Sequence, residues 1–70
     1  MDYGQNMSLR EKNKARTRTA ILDAAKELAK QGKWDNVSTR QIADEAGVSY
    51  QTLYNYYPAK AAILVEMLLD

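Results

Sequence analysis

Cysteine, histidine and phenylalanine are absent from the 70 residues of this chain, and tryptophan, proline and glycine are scarce, with one, one and three copies. Without cysteine there is no disulfide and no thiolate nucleophile. Without cysteine and histidine together, the usual zinc ligands and the side chain that titrates near neutrality are also missing. Only scattered carboxylates remain for chemistry, in no constellation of acid, base and nucleophile, so the sequence reads as a non-enzyme needing no metal or cofactor. No apolar run approaches the ~20 residues that span a bilayer. No signal-peptide core opens the chain either, so it is read as cytoplasmic and without a membrane partner. A chain of this length makes at most one small domain, with little stability in reserve.

Net charge is only +1, yet the charges are unevenly placed. Arg10, Lys12, Lys14, Arg16 and Arg18 stand close together with Glu11 as the sole acid among them, whereas Asp44, Glu45, Glu66 and Asp70 lie in the second half. Residues 1 to about 9 lack periodicity and read as disordered, and residues 1–15 as a whole are taken as a flexible basic arm. The ordered domain is expected over residues 16–70.

That domain reads as all-α. Ile21, Leu22, Ala25, Leu28 and Ala29 recur at helical spacing between about Arg16 and Gln31. Gly32 is expected to end this helix in the left-handed conformation, with Lys30 in its last turn. After a short loop from Lys33 to Val37, Ser38 or Thr39 can cap a second helix, and Ser38 with Gln41 has the spacing of a capping box. Ile42, Ala43 and Ala46 form its buried stripe and Gly47 stops it. Ser49 caps a third helix that runs until Tyr57, because Pro58 disfavours helical conformation in the residue before it. Pro58 also suits the start of a fourth helix, Ala59 to about Leu69. This last helix is apolar on nearly every side, through Ala61, Ala62, Ile63, Leu64, Val65, Met67, Leu68 and Leu69. A helix of that kind expects burial all round, more than a small three-helix partner supplies, so the chain reads as part of a longer protein.

Helix, glycine turn, helix, with Ile42, Ala43, Ala46, Val48 and Leu53 at core spacing, is the pattern of a helix-turn-helix. The same pattern also occurs in proteins that never touch DNA. On a helical wheel of the third helix, Leu53, Tyr54 and Tyr57 fall on one side, expected to face the core, and Gln51, Thr52, Asn55 and Tyr56 on the other. The outer face is polar without charge, which suits a helix in the major groove as well as a solvated surface. In the first case amides and hydroxyls read base edges: Gln51 can pair with adenine through two bonds, and Thr52 or Tyr50 can meet a thymine methyl or a phosphate. Tyr50 falls with the core face on the wheel, but a first-turn residue can project past the helix end, and it is read as facing outward. Arg40 can reach a guanine or a phosphate, or pair with Asp44 four residues on. Lys60 opposes the dipole of its own helix, which a phosphate there would offset. The basic arm either follows the minor groove or the phosphates, with Lys14, Arg16 and Arg18 as accessory contacts, or is a solvated, partly helical lead into the first helix.

The run from Ile21-Leu22-Asp23-Ala24-Ala25 through Gly32, Val37-Ser38-Thr39, Ile42-Ala43, Ala46-Gly47-Val48-Ser49 and Thr52-Leu53-Tyr54-Asn55-Tyr56-Tyr57 to Lys60 resembles the DNA-binding domain of the TetR family of bacterial repressors. The resemblance covers about residues 16 to 69. It implies a homeodomain-like three-helix core plus the start of a fourth helix. It also implies phosphate contacts from Thr39, Tyr56 and Lys60, with Asn55 as a further candidate, and base contacts from Arg40, Tyr50, Gln51 and Thr52. Gln51, Tyr57 and Ala61 depart from the commonest pattern, which has Gly, Phe and an acid there, and Gln51 thereby adds a base reader. The string Gly47-Val48-Ser49-Tyr50-Gln51-Thr52 is similar also to the lac-repressor family headpiece, which lacks the long preceding helix and the tyrosine-rich tail. The TetR resemblance further implies a homodimer on a palindromic operator in double-stranded DNA. Repression would be released by a small-molecule inducer bound in a larger helical domain absent from these residues, and the 70 residues alone would be monomeric. The competing reading is a protein-interaction module that docks a partner on the apolar fourth helix.

Overall fold

Ser8 and Glu11 start the first helix. The Ser8 side chain accepts from the Glu11 amide at 3.2 Å and the Glu11 carboxylate accepts from the Ser8 amide at 3.0 Å, a reciprocal capping box. From there α1 runs Leu9–Gln31, followed by a 3-10 turn Trp34–Asn36, then α2 Thr39–Ala46, α3 Tyr50–Tyr56 and α4 Lys60–Leu69. This is a computed structural model that describes residues 8–69, all-α as expected. The disorder expected of the first residues falls largely on positions 1–7, outside the described residues, as does Asp70.

Two expectations about α1 are corrected. It begins at Leu9 rather than near Arg16, so from Leu9 onward the basic stretch is the helical lead into the first helix that stood as the alternative to a flexible arm. Apolar periodicity cannot reveal these turns, because they project beyond the core; their cap and their helix-forming residues hold them. Gly32, moreover, is extended, with φ −170°, so the helix ends there without a left-handed residue.

The second capping box is found where the spacing placed it: Ser38 Oγ accepts from the Gln41 amide at 3.0 Å and Gln41 Oε1 from the Ser38 amide at 2.8 Å. Gly47 ends α2 in the left-handed region, φ 76°, and its amide donates back to the carbonyls of Ala43 and Asp44. Ser49 caps α3 through the Thr52 amide at 3.0 Å, and the Tyr57 amide closes it on the Leu53 carbonyl at 2.8 Å. Ile21, Ala24 and Ala25 of α1, Val37 just after the 3-10 turn, Ile42 and Ala43 of α2, Leu53 and Tyr57 of the α3 region, and Ile63 of α4 form one core. Ala25 and Ala43, both buried, leave room for α1 and α2 to approach closely. Only Ile63 of α4 is fully enclosed, while Val65, Leu68 and Leu69 are exposed, the last two by 76% and 77%. No helix among the described residues is long and apolar enough to cross a membrane.

Candidate nucleic-acid interface

With Leu53 and Tyr57 anchoring α3 in the core, Tyr50, Gln51, Tyr54 and Asn55 are turned outward. Gln51 and Asn55 are exposed, and Thr52 is half-buried. Tyr50 is exposed as read. Tyr54 corrects the wheel: it is 49% exposed and lies beside Tyr50, with ring centroids 6.4 Å apart. Tyr56, placed on the outer face, is half-buried and packs partly against the core. α3 is so short, and packs chiefly against α2, that the docking of the helices, rather than a regular wheel, decides which rings are covered. Tyr50 and Tyr54 therefore form an exposed aromatic pair.

Polar contacts fix this face. Ser49 Oγ donates to Thr52 Oγ1 at 2.9 Å, so the threonine hydroxyl is bound into the helix cap. Gln51 Nε2 donates to Asn55 Oδ1 at 3.0 Å. The Arg40 guanidinium lies 4.7 Å from the centre of the Tyr50 ring, so the contact observed at Arg40 is aromatic rather than with Asp44. Its donors remain at the rim of the α3 face.

On the opposite side, Lys14 and Arg18 of α1 share a shallow groove of about 450 Å³ with Asn55 and Tyr56. One turn of helix separates the two cations, which puts both on the side of α1 that meets α3. Arg16 falls outside this cluster, along another cleft of α1 with Thr19 and Asp23. Thr39, half-buried, sits in the first turn of α2.

Lys60 is placed differently from the expectation that a phosphate offsets its unfavourable helix-end position. Its Nζ donates to the Trp34 carbonyl at 2.6 Å and lies 4.8 Å from the centre of the Trp34 ring. These contacts supply the compensation internally and tie α4 to the 3-10 turn. Tyr57 gives a second tie, its hydroxyl donating to Glu66 Oε1 at 3.1 Å. Burial, the bond to Glu66 and the negative charge of Glu66 push the Tyr57 pKa up to about 12, against a smaller opposing pull from Arg18. Neither Trp34 nor Glu66 carried a sequence signal as a partner, since both bonds join residues far apart in the chain or on different helices.

Two short helices, α2 and α3, joined by the left-handed turn at Gly47, with an uncharged hydrogen-bonding face on the second, make a helix-turn-helix domain. Comparison with known proteins agrees. The family of bacterial regulatory proteins called the tetR family matches residues 21–67, and the chain belongs to it. It is 43% identical over 51 residues to the HTH-type transcriptional repressor KstR of Mycobacterium tuberculosis, covering 73% of this chain and 23% of that protein. Similarity to KstR of Rhodococcus jostii is also 43% over 51 residues, 73% of this chain and 24% of the relative. The HTH-type transcriptional regulator EthR of Mycolicibacterium smegmatis is 37% identical over 49 residues, 70% of this chain and 23% of its own length. The chain thus matches about a quarter of the length of these curated relatives. No solved structure matches it.

Proposed function

We propose that this domain reads double-stranded DNA, with α3 in the major groove, as the head of a cytoplasmic homodimeric repressor bound to a palindromic operator. The observation that carries the reading is the α3 face itself: exposed carboxamides and aromatic rings without formal charge, between the Arg40 guanidinium and the groove holding Lys14 and Arg18. Charges at the rims attract any duplex, while the neutral centre discriminates between base pairs. Arg40, Tyr50, Gln51 and Thr52 would face bases. Thr39, Asn55, Tyr56 and the remaining ammonium protons of Lys60 would meet phosphates, with Lys14 and Arg18 as accessory contacts. The exposed Val65, Leu68 and Leu69 support a continuation of α4 into a larger unit that dimerises and binds a small-molecule inducer.

Selection of bound duplexes from a random pool tests this directly, and an enriched sequence is the expected result. Gln51→Ala then relaxes preference at one base pair by about 1–3 kcal/mol. Lys14→Ala and Arg18→Ala instead weaken binding to all sequences and lower the slope of log affinity against log salt by about one unit each. Failure to enrich any sequence, with binding that vanishes equally for all variants, would remove the DNA reading.

A further inference from the structure

Gln51 and Asn55 stand one turn apart on the exposed side of α3, joined by the 3.0 Å bond from Gln51 Nε2 to Asn55 Oδ1. A primary carboxamide has two N–H donors and an oxygen acceptor. Reading adenine in the major groove uses the oxygen, which accepts from N6, and one N–H, which donates to N7. The bond to Asn55 occupies the other N–H. An unrestrained glutamine amide turns about a broad, roughly twofold final torsion, presenting oxygen and nitrogen in either order, and the reversed order sets its oxygen against the N7 acceptor. Because Asn55 offers an oxygen to Gln51, it holds the amide in one of the two orders, with the Gln51 oxygen and the second N–H left for a base. Its own amide nitrogen is left free to donate to a neighbouring phosphate.

We propose that Asn55 is a positioning residue for Gln51: it selects the productive orientation of the base-reading amide and links that amide to the DNA backbone. The proposal rests on the reading of α3 as the major-groove helix. Both side chains are exposed, so substitution does not threaten the core.

The test compares base preference, position by position, for duplexes selected from a random pool by the unaltered protein, Gln51→Ala, Asn55→Ala, Asn55→Asp and the double alanine variant. Asn55→Ala is expected to lose about fivefold of the preference at the base pair where Gln51→Ala loses it, the share of one net hydrogen bond. Adding Asn55→Ala to Gln51→Ala should then change nothing further at that pair. Asn55→Asp keeps an oxygen facing Gln51, so preference there should survive while affinity for every sequence falls, a carboxylate now facing phosphates. A uniform loss of affinity for Asn55→Ala with preference intact would overturn the proposal and leave Asn55 a backbone contact, with Gln51 still a reader. No position-specific change for Gln51→Ala would overturn both.

Discussion

Tyr57 illustrates how much a single oxygen can carry. Its ring fills the core beside Leu53, and its hydroxyl reaches out to Glu66, so the residue joins the end of α3 to α4. A phenylalanine would fill the same space but leave a half-buried carboxylate without that donor. Because the folded pKa, about 12, lies above the ordinary 10.0, the folded state holds this proton between those values while the unfolded state releases it. The resulting stabilisation is complete below pH 10 and is lost as pH rises toward 12. Tyr57→Phe should cost about 1 kcal/mol at neutral pH. It should also flatten the alkaline fall in stability, as denaturant melts at pH 9 and pH 11 would record. An unchanged alkaline slope would mean that Tyr57 is not the group responsible. Lys60 makes a comparable tie to Trp34, and both partners were invisible to a reading by spacing, because nothing local in the chain distinguishes a carbonyl or carboxylate that a distant residue will approach.

Among the elements, the short ones depend most on their ends. α2 and α3 are each about two turns long, below the length at which isolated helices persist in water, so capping and docking hold them. Ser38, Gln41, Ser49 and Gly47 do this with side chains or backbone freedom encoded within a few residues, and all four roles were legible. Gly47 is the sharpest case: an added methyl group meets nothing within 4 Å, so only the backbone angle opposes it. Gly47→Ala should therefore destabilise by about 1–2 kcal/mol through the left-handed conformation alone. A thermal melt would record the loss, with the secondary structure of the folded state unchanged. If the variant were as stable as the original, the turn would have to relax to another geometry. The start of α1 was misplaced for the opposite reason. Its first turns bury almost nothing, so the apolar pattern that located the other helices is silent there, although the Ser8–Glu11 capping box was present in the sequence.

For the whole molecule the decisive quantity is the smallness of the core. Among the described residues nine side chains are buried, and the fully enclosed large ones are Ile21, Ile42, Leu53 and Ile63, one from each α-helix. Each is therefore a point where two or more helices lose contact together. Ile63→Ala should cost about 2–5 kcal/mol, comparable with the entire stability of many domains of this size. Circular dichroism and a denaturant melt would show loss of cooperative unfolding. Leu68→Ala, at an exposed position on the same helix, should leave the midpoint within about 0.5 kcal/mol. Equal losses at the two positions would contradict the burial described for α4.

Local chemistry determined where most helices begin and end, which glycine makes the tight turn, and that one helix presents carboxamides and hydroxyls without charge. These features rest on residues within one or two turns of each other, and so are written in order along the chain. Tertiary structure alone decided that Tyr54 stands outside while Tyr56 packs partly against the core, and that Lys14 and Arg18, but not Arg16, border the groove beside α3. It also decided that Lys60 and Tyr57 are bonded within the domain. Such outcomes depend on the angle and depth at which whole helices meet, set by the core as a unit. A helical wheel treats each helix as though it stood alone.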